Sequence, residues 1–201
     1  MRPAAQALAG FYPIPPEMIA PIAALVRLDY PIVFRKQEYC TTRSPARRFC
    51  VADFCAGEGH AVLGITRALY TQPDDVRESP AILALGELEE SKYKTLVNGL
   101  SWEDRKHVHH GDSFRLMWER KERHVGASLL FLNPPFDADR EHRRLEERWL
   151  RRFSDALCLG GALLFVLPYY ALEASADTLA QQFTDVACCR FPDADFDPTK
   201  D

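Results

Sequence analysis

Residues 49–59 read Phe-Cys-Val-Ala-Asp-Phe-Cys-Ala-Gly-Glu-Gly, an apolar run that ends in an acid and a glycine-rich turn. The apolar run predicts a buried strand. Gly57 and Gly59 permit a tight turn in which a ligand approaches bare backbone. A helix is predicted to follow over residues 59–70. A strand, a glycine turn and a helix in this order are typical of a parallel sheet.

The rest of the chain repeats this alternation. Further strands are predicted over residues 81–88, 106–110, 128–132, 162–167 and 185–191. Further helices are predicted over residues 16–28, 89–100, 113–123, 139–157 and 170–183. One of these helices carries an apolar residue at every fourth position, which predicts a single buried stripe of Leu145, Trp149, Phe153 and Leu157. The order predicts one α/β domain over residues 1–201, with a Rossmann-like, doubly wound, mainly parallel sheet and helices on both faces.

The composition narrows the class of protein. The chain has 201 residues, of which 47% are hydrophobic and 27% charged, enough apolar material for one globular core. It has neither a run of about 18 apolar residues nor the apolar region of a secretory signal, which predicts a cytoplasmic protein without membrane spans. Six cysteines without a C-x-x-C pair favour buried thiols over disulfides or zinc. The net charge of −4 leaves nucleic-acid contact to local basic patches.

Acidic residues stand near the carboxyl ends of the second and third predicted strands. In a doubly wound sheet, ligands bind beyond the carboxyl ends of the strands. Glu87 stands where a carboxylate accepts hydrogen bonds from a ribose diol, and Asp112 stands where it accepts from an adenine amine or caps the next helix. Val62 occupies the position where a dinucleotide fingerprint requires a third small residue, which argues against a nicotinamide cofactor.

The fourth predicted strand ends in Asn133-Pro134-Pro135-Phe136. Two successive prolines fix φ and remove two N–H donors, so the turn presents carbonyl oxygens and the Asn133 amide with little conformational freedom. Phe136 adds an aromatic surface suited to stacking with a flat substrate such as a flipped base. A purely structural turn explains the prolines but not this combination directly after an apolar strand.

These motifs, in this order, resemble the class I S-adenosylmethionine-dependent methyltransferases, in the amino-methylating branch with an N-P-P-aromatic motif. The segment from Gly10 to Pro16 resembles the segment that precedes the fold in DNA adenine methyltransferases, although Ile14 stands where that pattern has threonine. The motif order is similar to that of the gamma-type adenine enzymes. Residues 10–191 also resemble uncharacterised methyltransferase-like proteins of phages and mobile elements.

The resemblance implies S-adenosylmethionine as cofactor and a role for each matching residue. Asn133 and the Pro134 carbonyl would accept the two hydrogens of a target amine, and Phe136 would stack on the target ring, within a catalytic turn of Asn133, Pro134, Pro135 and Phe136. The glycine turn would pass the methionine part of the cofactor, Glu87 would bind the ribose and Asp112 the adenine amine. The implied cofactor-binding residues are Tyr12, Pro13, Asp53, Cys55, Ala56, Gly57, Gly59, Glu87, Asp112, Ser113 and Asn133.

The resemblance implies N6 of adenine in DNA as the target. RNA adenine, cytosine N4 and protein glutamine N5 stay open as alternatives, as does a non-catalytic binding subunit. Two basic segments favour phosphate contact in a nucleic acid: Arg35, Lys36, Arg43, Arg47 and Arg48 in the first, and Arg140, Arg143, Arg144, Arg148, Arg151 and Arg152 in the second. His107, His109 and His110 have no cysteine or carboxylate at ligand spacing, so no metal site is predicted.

The class I methyltransferase sheet that this chain resembles ends with an antiparallel seventh strand. Residues 192–201 are polar and rich in turn-forming residues, so no seventh strand is predicted there. A bare edge is an association hazard. The sequence therefore predicts that a longer polypeptide or a partner chain completes the sheet.

Overall fold

A parallel sheet of five strands forms the centre of the described part of the molecule. The computed structural model describes residues 13–26, 50–70, 82–115, 126–137 and 144–192. The strands are β1 (Cys50–Asp53), β2 (Ile82–Glu87), β3 (Val108–His110), β4 (Ala127–Leu132) and β5 (Leu157–Phe165). Their order is β3-β2-β1-β4-β5, and every neighbouring pair is parallel. This is the predicted Rossmann-like arrangement.

Six α-helices connect or flank these strands in the described ranges. They are α1 (Ile19–Ala24), α2 (His60–Tyr70), α3 (Glu90–Asn98), α4 (Trp102–Arg105), α5 (Leu145–Phe153) and α6 (Leu172–Gln182). Short 3-10 turns occur at Pro16–Met18, Ser113–Arg115, Ser154–Ala156 and Tyr169–Ala171. No helix in these ranges is long and apolar enough to cross a membrane.

The core divides into two clusters, one on each face of the sheet. Successive residues of β4 alternate between them, because side chains of a strand point to opposite faces. Leu129 and Phe131 belong to one cluster and Leu130 and Leu132 to the other. The first cluster contains residues of α1, α2 and α3, and the second contains Phe153 of α5. Both faces are therefore covered, as the doubly wound prediction requires.

The amino-terminal segment, which contains α1, packs on α2. Ile14, Ile22 and Ala23 are buried in the first cluster. A Cβ atom at Gly64 of α2 would lie 2.8 Å from Cδ1 of Ile19, so the glycine allows the two helices to approach closely. Ile14, in the position where the related pattern has threonine, is thus a core residue.

The last part of the predicted topology is wrong in two places. Residues 185–191, predicted as a sixth strand, form no strand, and Val186 is exposed, although Phe191 packs on the first cluster. An apolar run becomes a strand only when a neighbouring strand pairs its backbone groups. The fifth strand begins at Leu157 rather than at residue 162, so it includes Gly160 and Gly161.

Helix boundaries also differ from the prediction. α5 ends at Phe153, so Leu157 lies in β5 and does not complete the expected stripe. The buried residues of α5 are Glu146, Leu150 and Phe153, while Leu145 and Trp149 are half-buried. Of the helix predicted over residues 113–123, the described part is the 3-10 turn at its start, and the rest lies outside the described residues.

α4 is a helix that the sequence prediction missed. Ser101 precedes it, and its hydroxyl accepts a hydrogen bond from the Asp104 N–H at 3.3 Å and donates one to Asp104 Oδ2 at 2.6 Å. This is a capping arrangement, and the Ser-x-x-Asp spacing signals it in the sequence. The helix has only four residues.

Candidate active site

The glycine turn follows β1 directly at the carboxyl edge of the sheet. Gly57 has φ of +57° and Gly59 has φ of +84°, the left-handed region that glycine adopts without strain. The Ala56 N–H donates to the Gly86 carbonyl at 2.9 Å, which fixes the turn to the end of β2. A Cβ atom at Gly59 would lie 2.4 Å from Cδ1 of Leu96. The turn is therefore built from bare backbone and has a fixed position.

Glu87 ends β2 beside this turn. Its Oε2 accepts a hydrogen bond from the Gly57 N–H at 2.7 Å, and its Oε1 accepts one from the Glu89 N–H at 2.7 Å. The residue is 8% exposed. Each carboxylate oxygen has two lone-pair sites, so these two bonds leave acceptor capacity on both oxygens. Such a carboxylate is suited to a pair of hydroxyl donors.

Asp53, the last residue of β1, is a buried acid. Its Oδ1 accepts a hydrogen bond from the Cys55 N–H at 2.9 Å, and the residue is 2% exposed. Burial raises the pKa of Asp53 from 3.8 to about 7, hydrogen bonds from Cys55 act in the opposite direction, and Glu87 adds to the rise. Both protonation states of Asp53 are therefore populated near neutral pH.

Asp112 and Ser113 follow β3. Asp112 Oδ1 accepts from the Phe114 N–H at 3.0 Å, as a helix cap does, and its Oδ2 lies 3.4 Å from Nε of Arg115. The Ser113 hydroxyl donates to the Phe54 carbonyl at 2.6 Å and is buried. Capping orients the Asp112 carboxylate, and Ser113 fastens this segment to the glycine turn.

The Asn133–Phe136 turn leaves β4, a fully buried strand of the sheet. All six residues of β4 are buried, Pro134 is buried, and Asn133, Pro135 and Phe136 are half-buried. On its exit side, the Leu145 N–H donates to the Asp137 carbonyl at 2.9 Å. The turn is thus fixed at its entry by the sheet and at its exit by this bond.

The thiol of Cys55 connects the glycine turn to the Asn133 turn, a contact that sequence reasoning missed. Its sulfur accepts a hydrogen bond from the Asn133 backbone N–H and interacts with the Asp53 carboxyl group. Burial raises the pKa of the Cys55 thiol well above its usual value, and the Asp53 charge raises it further. Cys55 is consequently a neutral thiol whose side chain links the two turns.

A cluster of aromatic rings lies under these turns and was also missed. Phe153 of α5 stacks on Phe54 with ring centroids 4.5 Å apart and lies 5.5 Å from Phe114. Trp149 contacts both Phe114, at 4.9 Å, and Phe153, at 5.0 Å. The cluster joins the segments that follow β1 and β3 to the helix that follows the Asn133 turn. No pattern in one local segment could have revealed it, since the rings come from three separate segments.

Other predicted residues are placed elsewhere or lie outside the described residues. Pro13 is described and exposed, whereas Tyr12 lies outside. The whole first basic segment, together with Arg140 and Arg143, also lies outside the described residues. Arg151 forms an ion pair with Glu147, and Arg148 lies 4.8 Å from the centre of the Phe114 ring.

The remaining cysteines and the histidines form no recognisable catalytic or metal site in the described ranges. Cys50 is buried and Cys158 half-buried, but Cys188 and Cys189 are exposed, so the expectation of buried thiols fails for these two. His110 stacks on Tyr93 with centroids 4.5 Å apart. Within the described ranges, no group of three or more His, Cys, Asp or Glu residues is arranged to hold a metal ion.

Comparison with known proteins identifies the fold. Residues 103–201, just under half of the chain, match the model of the Uncharacterised methyltransferase family (DUF6094). The methyltransferase subunit of a type I restriction-modification system from Streptococcus thermophilus is structurally similar, with a TM-score of 0.59 and 17% sequence identity. The match covers 86% of this chain but 39% of that subunit. The chain therefore has the Rossmann-like fold of class I methyltransferases.

A second structural match is weaker. Precorrin-6y C5,15-methyltransferase from Geobacter metallireducens GS-15 aligns with a TM-score of 0.48 and 11% identity, over 83% of this chain and 69% of that one. No curated protein matches the chain in sequence.

Proposed function

We propose that the chain transfers a methyl group from S-adenosylmethionine to an exocyclic amine, with N6 of adenine in DNA as the target. One observation carries the proposal: the Asn133–Phe136 turn leaves β4 directly beside the strand whose end holds the Asp53–Gly59 turn, and Cys55 contacts Asn133. The turn proposed to bind the target amine and the glycine turn proposed to bind the cofactor thus lie at the same edge of the sheet. The match of the carboxyl-terminal half to an uncharacterised methyltransferase family supports methyl transfer.

The residues at the ends of β1 and β2 fit S-adenosylmethionine. The cofactor carries a ribose diol and a cationic methionine end. Glu87 retains acceptor capacity on both carboxylate oxygens while the Gly57 and Glu89 N–H groups fix its orientation. Asp53 places an acidic group at the turn, and the glycines there leave backbone exposed to a close ligand.

Asn133 and Pro134 would act on the target amine. A base amine is a poor nucleophile because its lone pair is delocalised into the ring. The Asn133 side-chain oxygen and the Pro134 carbonyl would each accept one amine hydrogen and favour the tetrahedral nitrogen, whose lone pair is then available. Since this geometry develops on the way to the transition state, the two acceptors stabilise it more than the ground state. S-adenosylmethionine, when bound, would supply the electrophilic methyl group and leave as S-adenosylhomocysteine, and the extra proton of the methylated nitrogen would be released to solvent.

The rigid support of the turn contributes the alignment. Pro134 and Pro135 restrict φ at two successive positions, and the bond between Leu145 and Asp137 closes the exit side. Acceptors that are already in place need no reorganisation when charge develops. Phe136 would stack on the target ring and orient its amine toward the methyl group.

Nucleic acid as the target is supported by one relative and one residue type. The structurally similar protein from Streptococcus thermophilus is a restriction-modification methyltransferase subunit. An aromatic residue directly after the amine-binding turn suits a flat base that has left its stack.

Methyl transfer to defined substrates tests the proposal. The protein is incubated with methyl-labelled S-adenosylmethionine in three separate samples, which contain DNA, RNA or a mixture of unfolded proteins. The products are digested and identified by mass spectrometry. We expect N6-methyladenine in the DNA sample, formed about 100-fold more slowly, or more slowly still, by the Asn133→Ala variant. Label in N4-methylcytosine or in RNA would correct the target, while label in protein glutamine would reject nucleic acid. No label in any sample, despite cofactor binding by calorimetry, would favour a non-catalytic subunit.

A further inference from the structure

Two exposed tyrosines follow β5 and have no part in the site described above. Tyr169 is 90% exposed and Tyr170 is 55% exposed, and their rings meet edge to face with centroids 6.0 Å apart. They lie in the 3-10 turn that begins after Pro168, and the neighbouring Ala171 is fully buried. The turn is closed by a hydrogen bond of 2.9 Å from the Ala171 N–H to the Pro168 carbonyl. Both rings therefore project from an anchored segment.

The strand order places this aromatic pair next to the Asn133–Phe136 turn, on the side away from the proposed cofactor residues. The cofactor-type residues follow β1, β2 and β3, the Asn133 turn follows β4, and the tyrosines follow β5. Since the order is β3-β2-β1-β4-β5, the β5 end lies on the side of the Asn133 turn away from the cofactor residues. From Leu129 onward, β4 and β5 stay in register to their carboxyl ends, where Leu132 pairs with Phe165 and the Val166 N–H donates to the Leu132 carbonyl at 2.8 Å.

An arginine orients one of the two rings. The guanidinium of Arg144 lies 4.9 Å from the centre of the Tyr170 ring, and Arg144 is bonded through both Nε and Nη2 to the carboxylate of Glu146, which is fully buried. Two bonds to a buried acid fix the plane of the guanidinium. The cation then restricts the ring of Tyr170, while Tyr169 presents its ring to solvent.

We infer that Tyr169 and Tyr170 form a stacking surface for unpaired nucleobases next to the target base, so that the preferred substrate is a single-stranded or locally opened nucleic acid. This rests on the proposed function, because it takes the Asn133 turn as the point where the target amine is bound. Aromatic side chains that stack bases beside a cation are a recurring means of binding single strands without reading their sequence. A closed duplex offers such rings no free base faces.

Binding of a labelled oligonucleotide tests the surface. A fluorescein-labelled 12-nucleotide DNA strand of mixed sequence is titrated with protein in the presence of S-adenosylhomocysteine, alone and annealed to its complement. Wild type is expected to bind the single strand more tightly than the duplex. Tyr169→Ala should weaken single-strand binding by about tenfold and leave duplex binding unchanged, whereas Tyr169→Phe should bind as wild type does.

Trp102 provides a matched control for the loss of an exposed aromatic ring. It is 72% exposed, and it lies in α4, ahead of the amino end of β3, away from the carboxyl edge of the sheet. Trp102→Ala should bind both forms of the DNA as wild type does. An equal loss in Trp102→Ala and Tyr169→Ala, or no loss in Tyr169→Ala, would overturn the inference.

Photo-crosslinking supplies a direct readout. The same strand with one 5-iodouracil is irradiated on the protein, and the crosslinked peptide is identified by mass spectrometry. A crosslink at Tyr169 or Tyr170 supports the inference, and crosslinks confined to other peptides contradict it. Methyl transfer to DNA without any single-strand preference would leave the proposed function intact and reject this surface. Single-strand binding that depends on Tyr169, without methyl transfer to any nucleic acid, would support this surface and reject the proposed function.

Discussion

Glu87 and Gly57 are joined by a hydrogen bond of 2.7 Å, in which the Gly57 N–H donates to Oε2. The same carboxylate accepts from the Glu89 N–H through Oε1. One acid at the end of β2 therefore sets the position of the turn after β1 and of the chain that begins α3. If this acid also binds the ribose of the cofactor, binding and turn geometry depend on the same two oxygens.

Replacing Glu87 should therefore affect cofactor affinity more than a lost surface charge does. Glu87→Ala removes a charged acceptor and should weaken S-adenosylhomocysteine binding by about 1.5–3 kcal/mol, roughly tenfold or more, in isothermal calorimetry. Glu90→Ala is the control, because Glu90 forms an exposed ion pair with Lys94 and should change affinity little. Equal affinities for the two variants would contradict the role of Glu87.

Gly59 should tolerate no side chain, while Gly99, near the same leucine, should. A Cβ at Gly59 would meet Leu96 Cδ1 at 2.4 Å and place a non-glycine residue at φ of +84°, so Gly59→Ala should lower the free energy of unfolding by about 1–3 kcal/mol. At Gly99, φ is −79° and the nearest atom, the Leu96 carbonyl oxygen, is 3.5 Å away. Gly99→Ala should be neutral or stabilise by up to about 1 kcal/mol in urea unfolding. A cost at Gly99 that matches the cost at Gly59 would contradict this reading of the turn.

Asn133→Ala should separate chemistry from binding. Loss of one acceptor that acts in the transition state should lower kcat by about 100-fold or more, while the dissociation constant for S-adenosylhomocysteine changes much less. The measurement is methyl transfer at saturating cofactor, with calorimetry on the same protein sample. A variant that keeps wild-type kcat would exclude Asn133 from the proposed mechanism.

The sequence predicts the parts of the site that depend on strand ends. Glu87 and Gly57 lie about 30 residues apart, yet β1 and β2 are neighbouring parallel strands, so their carboxyl ends meet at one edge. The parallel direction of the strands follows from the alternation of strands and helices. These features depend on local patterns and on a general rule of parallel sheets.

The other contacts of the site join segments that are far apart in the chain, and local sequence patterns do not reveal such contacts. The Ser113 bond to the Phe54 carbonyl and the Cys55 contact with Asn133 each join segments that are far apart in the chain. The strand expected at residues 185–191 failed for a related reason: its apolar run fits a strand, but strand pairing requires a neighbouring strand, which the local pattern cannot supply.

Asp53 should make the stability of the unliganded protein depend on pH. Burial raises the pKa of Asp53 from 3.8 to about 7, so the folded state binds a proton that the unfolded state releases. The stabilisation from protonation is complete below about pH 3.8 and is lost as pH rises to about 7. In Asp53→Asn, which cannot ionise, this loss should be absent. The free energy of unfolding of the variant relative to wild type should rise between pH 4 and 7, by on the order of 4 kcal/mol at most, and then stay level.

Cofactor binding should respond to Asp53 in the opposite direction. S-adenosylmethionine is cationic, so it favours the ionised carboxylate, and wild-type affinity should increase as pH rises from 5.5 toward the Asp53 pKa of about 7. Asp53→Asn keeps an oxygen that can accept from the Cys55 N–H but lacks the charge, so its affinity should be weaker at pH 7.5 and nearly independent of pH. The variant should therefore be more stable and bind more weakly, because the charge that attracts the cofactor is costly to bury in its absence. Calorimetric titrations at pH 5.5, 6.5 and 7.5, paired with urea unfolding at the same pH values, measure both effects. An Asn variant that binds as tightly as wild type at pH 7.5 would show that the Asp53 charge acts on the fold alone.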